Sequence, residues 1–321
     1  MELLSLNFSE FASGDTTTKA QFSRKLVQQL ETYGFATVYN HGVDEGLLKE
    51  AFEWSRRFFD LPMRVKLRSL HPAESNPNRG YSFIGQENLA VLTRADRRIE
   101  GRGELKESWD QVNSNNTSHP NLWEAAEELP GFREFMESFF HTLHDTELNL
   151  LDAIAAGLDL PADSFTPLHT DRVDEFRLLH YPAVSADDMA KNTRTSEHTD
   201  LGTITLLFQD KTGGLEVEDQ SANGVFHPIR VASPTMIINV GDSLQRWTND
   251  RLKSAYHRVT VPKTAEEDSV IPSRYSIGFF AKPNSGVSLY PLPQFIGEDR
   301  PSKYEDLTVD EYHHQKRAQV Y

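Results

Sequence analysis

The tripeptide His-Thr-Asp occurs twice in the chain, at 169–171 and at 198–200. In a strand or tight bend, positions i and i+2 point to the same side, so an imidazole and a carboxylate at this spacing can grip one ion. His198 and Asp200 stand just before an apolar run, Thr203 to Phe208, on the rim of an expected barrel. His169 and Asp171 lie in a Pro- and Asp-rich connection beside Arg172, which reads as a surface or capping segment. A third ligand is available in His257, at the start of another expected strand. Two imidazoles and one carboxylate on one face leave the opposite face of an octahedral iron open, an arrangement suited to Fe(II) enzymes that bind an organic chelate and O2. The same set also fits zinc.

Beyond His257 comes Arg274-Tyr275-Ser276, in which Arg274 and Ser276 share a strand face. A guanidinium with a neighbouring hydroxyl suits a terminal carboxylate, to which it offers a charge-assisted fork and one further donor. Tyr181, ending the run Phe176 to Tyr181, adds a phenol. Most of the other histidines read as structural. His141 and His144 are spaced i, i+3 on a long helix, but no carboxylate-bearing strand is evident opposite them.

The elements that must hold these residues follow from period and punctuation. Asp15 caps a helix with Phe22, Leu26, Leu30 and Tyr33 at helical spacing, and Gly34 ends it. A strand Phe35 to Tyr39 follows, then a helix from about Asp44 to Asp60. Residues 71–120 read as irregular because Pro and Gly break every period, and a long helix runs from Pro130 to Leu158. From residue 174 the pattern changes to short apolar strands, at Phe176–Tyr181, Thr203–Phe208, Met236–Val240, Tyr256–Val261 and Tyr275–Phe280. Strands at this spacing without crossover helices imply an antiparallel sandwich or jelly roll. No linker divides the 321 residues, so they read as one catalytic domain with a helix-rich half at 1–160 and a jelly-roll half at 161–321 carrying the site.

Composition narrows the partners. With 33 Lys+Arg against 48 Asp+Glu the net charge is -15, which disfavours nucleic-acid and anionic membrane surfaces. Zero cysteines remove disulfides, thiolate metal sites and cysteine nucleophiles together. The N-terminus is too short and acidic for a signal peptide, so a cytoplasmic setting is the default expectation.

Taken together, the residues resemble the isopenicillin N synthase-like family of Fe(II)/2-oxoglutarate-dependent dioxygenases over nearly the whole chain. The N-terminal half carries Gly34-Phe35, Asn40-His41-Gly42-Val43, Phe58-Phe59, Leu61-Pro62 and Asn78-Arg79-Gly80-Tyr81. The C-terminal half carries Tyr181-Pro182, His198-Thr199-Asp200, Gly213-Gly214-Leu215, Asn239-x-Gly241-Asp242, Thr248-Asn249, His257-Arg258-Val259 and Arg274-x-Ser276. Arg177 to Pro182 and Leu206 to Asp210 are most similar to the fungal branch, with its thymine hydroxylases and secondary-metabolite oxidases. The resemblance implies a mainly β fold with a helical N-terminal half, its core a distorted double-stranded β-helix (jelly roll) backed by the long helix. It implies Fe(II) on His198, Asp200 and His257, and 2-oxoglutarate held by Arg274, Ser276 and Tyr181, with O2 as oxidant. Two departures stand out: Leu179 replaces an Asn common in plant members, and 264–269 looks like an inserted acidic hairpin.

The substrate is expected to be a small molecule. Arg177, Leu179 and Tyr181 share a strand face, so Arg177 is a candidate cavity donor, with Arg79, Leu201 and Phe280 as further wall residues. Such a cavity suits a compact oxygenated metabolite; thymine is the alternative, which Leu201 disfavours. The competing reading of Arg177 is an ion pair with Asp174 or Glu175. Rival functions are an oxidase of the same fold without 2-oxoglutarate, a zinc hydrolase with Glu197 as base, and a silent metal-binding module. The sequence does not specify the oligomeric state.

Overall fold

The computed structural model describes residues 3–72, 78–87, 89, 103–185, 188–189, 192–261 and 270–317. Twelve strands are named here in chain order: β1 (Ser5–Asn7), β2 (Phe35–Tyr39), β3 (Gly80–Ser82), β4 (Glu107–Val112), β5 (Glu175–Tyr181), β6 (Thr195–His198), β7 (Ile204–Gln209), β8 (Leu215–Glu218), β9 (Phe226–Pro228), β10 (Met236–Val240), β11 (His257–Val259) and β12 (Arg274–Phe280). They form two sheets. The larger has the order β1-β2-β10-β7-β12-β5-β4-β3, and the smaller β6-β11-β8-β9. All pairings are antiparallel except β1 with β2.

The helices follow the expected caps. Asp15 accepts a hydrogen bond from the Thr18 N–H at the start of helix Thr16–Tyr33, and Gly34 closes it in the left-handed region at φ 70°. Asp44 caps helix Glu45–Phe59 in the same way through Leu47. The long helix covers Phe132–Gly157, about 39 Å at 1.5 Å per residue. Its apolar side, including Phe132, Met136, Phe139 and Leu143, packs with the outward face of the larger sheet in the main core.

The stretch 71–120 differs from its expected irregularity, since it contributes β3 and β4 to the larger sheet. β4 reads Glu-Ser-Trp-Asp-Gln-Val and is buried throughout, so the alternation that marks a half-exposed strand is missing. Trp109 points to the outer core, against Phe58, Trp123 and Phe132 at centroid separations of 5.8, 5.2 and 5.0 Å. Ser108 and Asp110 necessarily point the other way. β6, β8 and β9 are likewise not evident from period, being short and polar. The acidic segment 264–269 lies outside the described residues.

Register gives the inner face of the larger sheet its chemistry. Asp110 pairs with Arg177, Arg177 with Gly278, Gly278 with Leu207, and Leu207 with Ile237. One step along, Ser108, Leu179, Ser276 and Gln209 line up, and beyond them Tyr181 pairs with Arg274. A second, smaller core forms between the sheets from Phe35, Leu179, Tyr181 and Ile237 on one side and Leu215, Val217 and Val259 on the other. No helix among the described residues is long and apolar enough to cross a membrane.

Because Trp109 ties β4 to two helices, Trp109→Ala should lower the unfolding free energy by about 3–5 kcal/mol. Urea denaturation followed by far-UV circular dichroism measures this, and a loss below about 1 kcal/mol would contradict the packing described.

Candidate active site

His198 ends β6 and His257 begins β11, and the two residues are direct cross-strand partners. Their rings approach to 4.3 Å between centroids. Each Nδ1–H donates to a carbonyl two residues back in its own segment, His198 to Ser196 at 2.8 Å and His257 to Ala255 at 3.2 Å. That fixes both tautomers with a lone pair on Nε2, the form a metal takes. The two Nε2 atoms lie 3.7 and 3.8 Å from Oδ1 of Asp200. Burial, followed by the neighbouring His257, holds His198 down to about 4, so the imidazole is neutral at ordinary pH.

Asp200 is oriented through its other oxygen. Oδ2 accepts from Thr205 Oγ1 at 2.5 Å and from Asn239 Nδ2 at 2.8 Å, leaving Oδ1 toward the histidines. Burial alone would raise this carboxyl, but the two imidazoles and the two donors outweigh it and hold it below its ordinary value. The Asp200 backbone is clamped too. Its carbonyl accepts from the Asp242 N–H at 2.7 Å, and a Cβ on Gly241 would lie 2.2 Å from the Gly202 carbonyl oxygen. The Asn239-x-Gly241-Asp242 motif therefore serves Asp200 three ways, as donor, as close-approach glycine and as backbone clamp.

The second cluster is cationic. Arg274 is fully buried, stacks over the Tyr181 ring with its guanidinium 4.8 Å from the centroid, and donates to Ser276 Oγ at 3.0 Å and Gln209 Oε1 at 2.8 Å. The Tyr181 hydroxyl bonds to Thr195 Oγ1 at 3.2 Å. Arg194, absent from the residues expected at the site, is equally buried and lies on the same tyrosine ring at 5.8 Å. Its Nη2 meets the Pro272 carbonyl, while its Nε and Nη1, and the Nε of Arg274, have no hydrogen-bond partner. Neither arginine has a carboxylate partner among the described residues. Burial first, and then the Arg274 charge, pulls Arg194 down to about 10. Two buried guanidiniums with unspent donors form a site that fits an anion with a terminal carboxylate. No periodicity signals Arg194, because Lys191-Asn192-Thr193-Arg194 reads as a polar loop.

The expected wall residues are placed unequally. Arg177 is ion-paired with Asp110 and Glu87. It makes a fork to Asp110 at 2.5 and 3.1 Å and another to Glu87 at 2.8 and 3.1 Å, so four of its five N–H donors are taken. Lys106, also not among the expected residues, joins this cluster through Glu87 at 3.2 Å and Glu104 at 2.9 Å. Glu104 in turn accepts from the Ser196 N–H in β6, which brings the cluster to the histidine strand. Phe280 lies on the inner face beyond Gly278, whose missing side chain leaves the Phe280 ring edge as nearest neighbour. The loop with Arg79 is tied to Glu175 through Asn78, at the same end of β5. Leu201 is half-buried and packs against the main core. His169 departs from its expected surface position, being fully buried.

Comparison with known proteins matches this geometry. Residues 173–283 match the 2OG-Fe(II) oxygenase superfamily model, and residues 5–130 match the model for the non-haem dioxygenase in morphine synthesis N-terminal region. The "Proline hydroxylase buaE" of Petromyces alliaceus is 42% identical over 324 residues, covering 100% of both chains. The chain belongs to the 2OG-Fe(II) oxygenase superfamily. The 2-oxoglutarate-dependent dioxygenase frbA of Dothideomycetidae sp. is also 42% identical, over 100% of this chain and 98% of its own. Among solved structures, the full-length Neurospora crassa thymine hydroxylase in complex with alpha-KG and thymine is 34% identical with a TM-score of 0.89, covering 99% of this chain and 97% of that one. This oxygenase is therefore an Fe(II)- and 2-oxoglutarate-dependent oxidoreductase with the double-stranded β-helix fold, and the expected reaction class and cofactors hold.

Because Asn239 and Thr205 act only through Asp200, Asn239→Ala should weaken Fe(II) binding by about 10–100-fold while leaving the fold intact. Anaerobic Fe(II) titration measures it, and wild-type affinity would remove Asn239 from this role.

Proposed function

We propose that His198, Asp200 and His257 hold the iron and that Arg274, Ser276 and Arg194 hold the far carboxylate of 2-oxoglutarate, with Tyr181 as the ring on which both guanidiniums rest. The observation that carries this is the pair of buried arginines with unspent donors beside three converging ligand atoms. When bound, iron and 2-oxoglutarate supply the oxidation: O2 is consumed, CO2 and succinate leave, and one oxygen atom enters a substrate C–H bond. The chain's own residues do the rest. The carbonyls of Ser196 and Ala255 keep both histidines in the ligating tautomer, and Asn239 and Thr205 aim the Asp200 carboxylate. The buried arginines would orient a dianion in the interior, where each charge-assisted bond is strengthened. A non-redox zinc hydrolase has no use for this carboxylate site.

For the substrate, the Arg177 cluster supports a compact molecule bearing N–H or ammonium groups. Arg177 and Lys106 face three carboxylates, Glu87, Glu104 and Asp110, so acceptors are in excess. Burial pushes the Asp110 carboxyl up despite Arg177, with Glu87 adding to the rise. This narrows the expectation of a compact oxygenated metabolite to one that also carries N–H groups. Arg177 acts as the organiser of the acceptors, and Phe280 supplies an aromatic wall. An amino or imino acid in fungal secondary metabolism fits these acceptors, in line with the proline hydroxylase similarity. Thymine, which also presents N–H groups, is the second reading, favoured by the thymine-bound relative.

Two measurements test the proposal. Arg274→Ala should cost about 2–5 kcal/mol of 2-oxoglutarate affinity, and Arg274→Lys a smaller part of it, because a point charge replaces the planar fork. The weak visible band of anaerobic Fe(II) with 2-oxoglutarate reports the binding, and unchanged affinity in both variants would favour the oxidase without 2-oxoglutarate. A panel of free amino and imino acids, thymine and simple phenols, scored by product formed per succinate released, decides the substrate class. Coupled turnover of phenols alone would sink the N–H reading, and coupled turnover of thymine alone would select the second.

A further inference from the structure

A second group of ligating side chains lies behind the larger sheet, apart from the iron site. His144 and Glu147 sit one turn apart on the long helix, and Asp174 immediately precedes β5. The expectation that His144 faces no carboxylate is overturned, whereas His141 turns instead toward Arg172, with its Nδ1 3.3 Å from Nη1. His144 Nδ1 is 2.8 Å from Asp174 Oδ2 and 3.3 Å from Glu147 Oε2, and one ligand atom from each of the three lies within 4.8 Å of the others. His144 is 2% exposed, and Glu147 and Asp174 are 0% exposed. Asp174 spends its other oxygen on the Lys282 N–H at 2.9 Å. Neither oxygen of Glu147 has a hydrogen-bond partner.

The charge balance defines what is missing. Two carboxylates share this interior with no Lys or Arg at ion-pair distance among the described residues. An unpaired buried carboxylate is among the costliest groups a fold can hold. Protons on His144 and Glu147 would neutralise the pair, with Asp174 as acceptor for both, but would leave Glu147 Oε1 without a donor: His169 Nε2, 3.8 Å away, already takes the Thr203 hydroxyl at 2.8 Å. His169 Nδ1–H donates to the Phe165 carbonyl at 2.9 Å, so Nε2 presents its lone pair toward this cluster. A divalent cation resolves every term: it cancels both charges, uses the open oxygens of Glu147 and takes the His144 lone pair. Tetrahedral ligand atoms at Zn–N and Zn–O lengths of about 2.0–2.2 Å lie roughly 3.3 Å apart, close to the observed separations.

We infer that His144, Glu147 and Asp174 form a second, structural divalent-metal site of zinc type, with His169 beside its fourth position. It would pin the long helix to β5, the strand that ends in Tyr181, and through His169 and Thr203 to the turn that carries Asp200. This inference is independent of the residue roles proposed for the iron site.

The test separates the two sites by removing one at a time. The full chain carrying His198→Ala and Asp200→Ala is produced with zinc supplied during growth, because a buried site must fill on folding, and is then dialysed against EDTA. Elemental analysis should find about one zinc per chain, lost when Glu147→Gln is added. In parallel, cobalt(II) is supplied to the wild-type chain during growth or refolding and followed by its visible d–d absorption. It should show two occupied sites, of which 2-oxoglutarate perturbs one, and Glu147→Gln alone should retain only the perturbed one. Absence of zinc from the iron-site variant, or a single cobalt per wild-type chain that Glu147→Gln leaves in place, would overturn the proposal and leave a proton-sharing cluster. Equal metal content with and without Glu147→Gln would overturn it as well.

Discussion

The antiparallel pairing of β6 with β11 is the constraint on which the site rests. His198 and His257 are opposite one another in that ladder, and a slip of one residue would turn one imidazole away from its partner. The two-residue back-bonds to Ser196 and Ala255 then make each ring's orientation a property of its own backbone. Asp200 comes from outside the ladder, on the turn into β7, and so needs separate fixing. That explains the number of groups spent on it: Thr205 and Asn239 on one oxygen, and Asp242 on the backbone carbonyl.

The larger sheet supplies the other half of the site by the same logic. Residues two apart on β5 and β12 fall on one face, so Tyr181 meets Arg274 and Leu179 meets Ser276 across the ladder. Along this face the environment grades from cations without a carboxylate partner among the described residues, at Arg274 and Arg194, to a cluster with acidic excess around Arg177 and Asp110. An anionic co-substrate and an N–H-bearing substrate would thus be sorted to opposite ends of this sheet face by charge. The helical layer behind the sheet carries the aromatic core on which this face is built, with Phe58, Trp109 and Phe132 in mutual contact.

Arg177 shows how a side chain's role depends on partners far away in the chain. Its strand face is legible, since alternation along β5 is a local property. Its pairing is not, because Asp110 is 67 residues away and Glu87 is 90. His169 makes the same point in reverse. Its tripeptide is identical to that at 198–200, and its Pro- and Asp-rich surroundings suggest a surface, yet it is buried against the long helix and Thr203.

Short-range pattern therefore accounts for everything that could be read from the residues in order. The i, i+2 spacing of His198 with Asp200 and of Arg274 with Ser276, the helix caps at Asp15 and Asp44, and the strand runs from 174 onward all rest on local geometry. The distal His257 is legible because the ordered set of motifs around it is specific. Folding in three dimensions was needed to reveal the buried strand β4, whose charged residues are met by Lys66, Arg177 and His180 from distant segments, and the placing of Arg194 and Lys106 beside the site. It was needed as well to bring Asp174 to His144 and Glu147. The physical reason is common to all of these. Each of these side chains is placed by groups far from it in the chain, and a linear sequence does not state which distant groups will arrive.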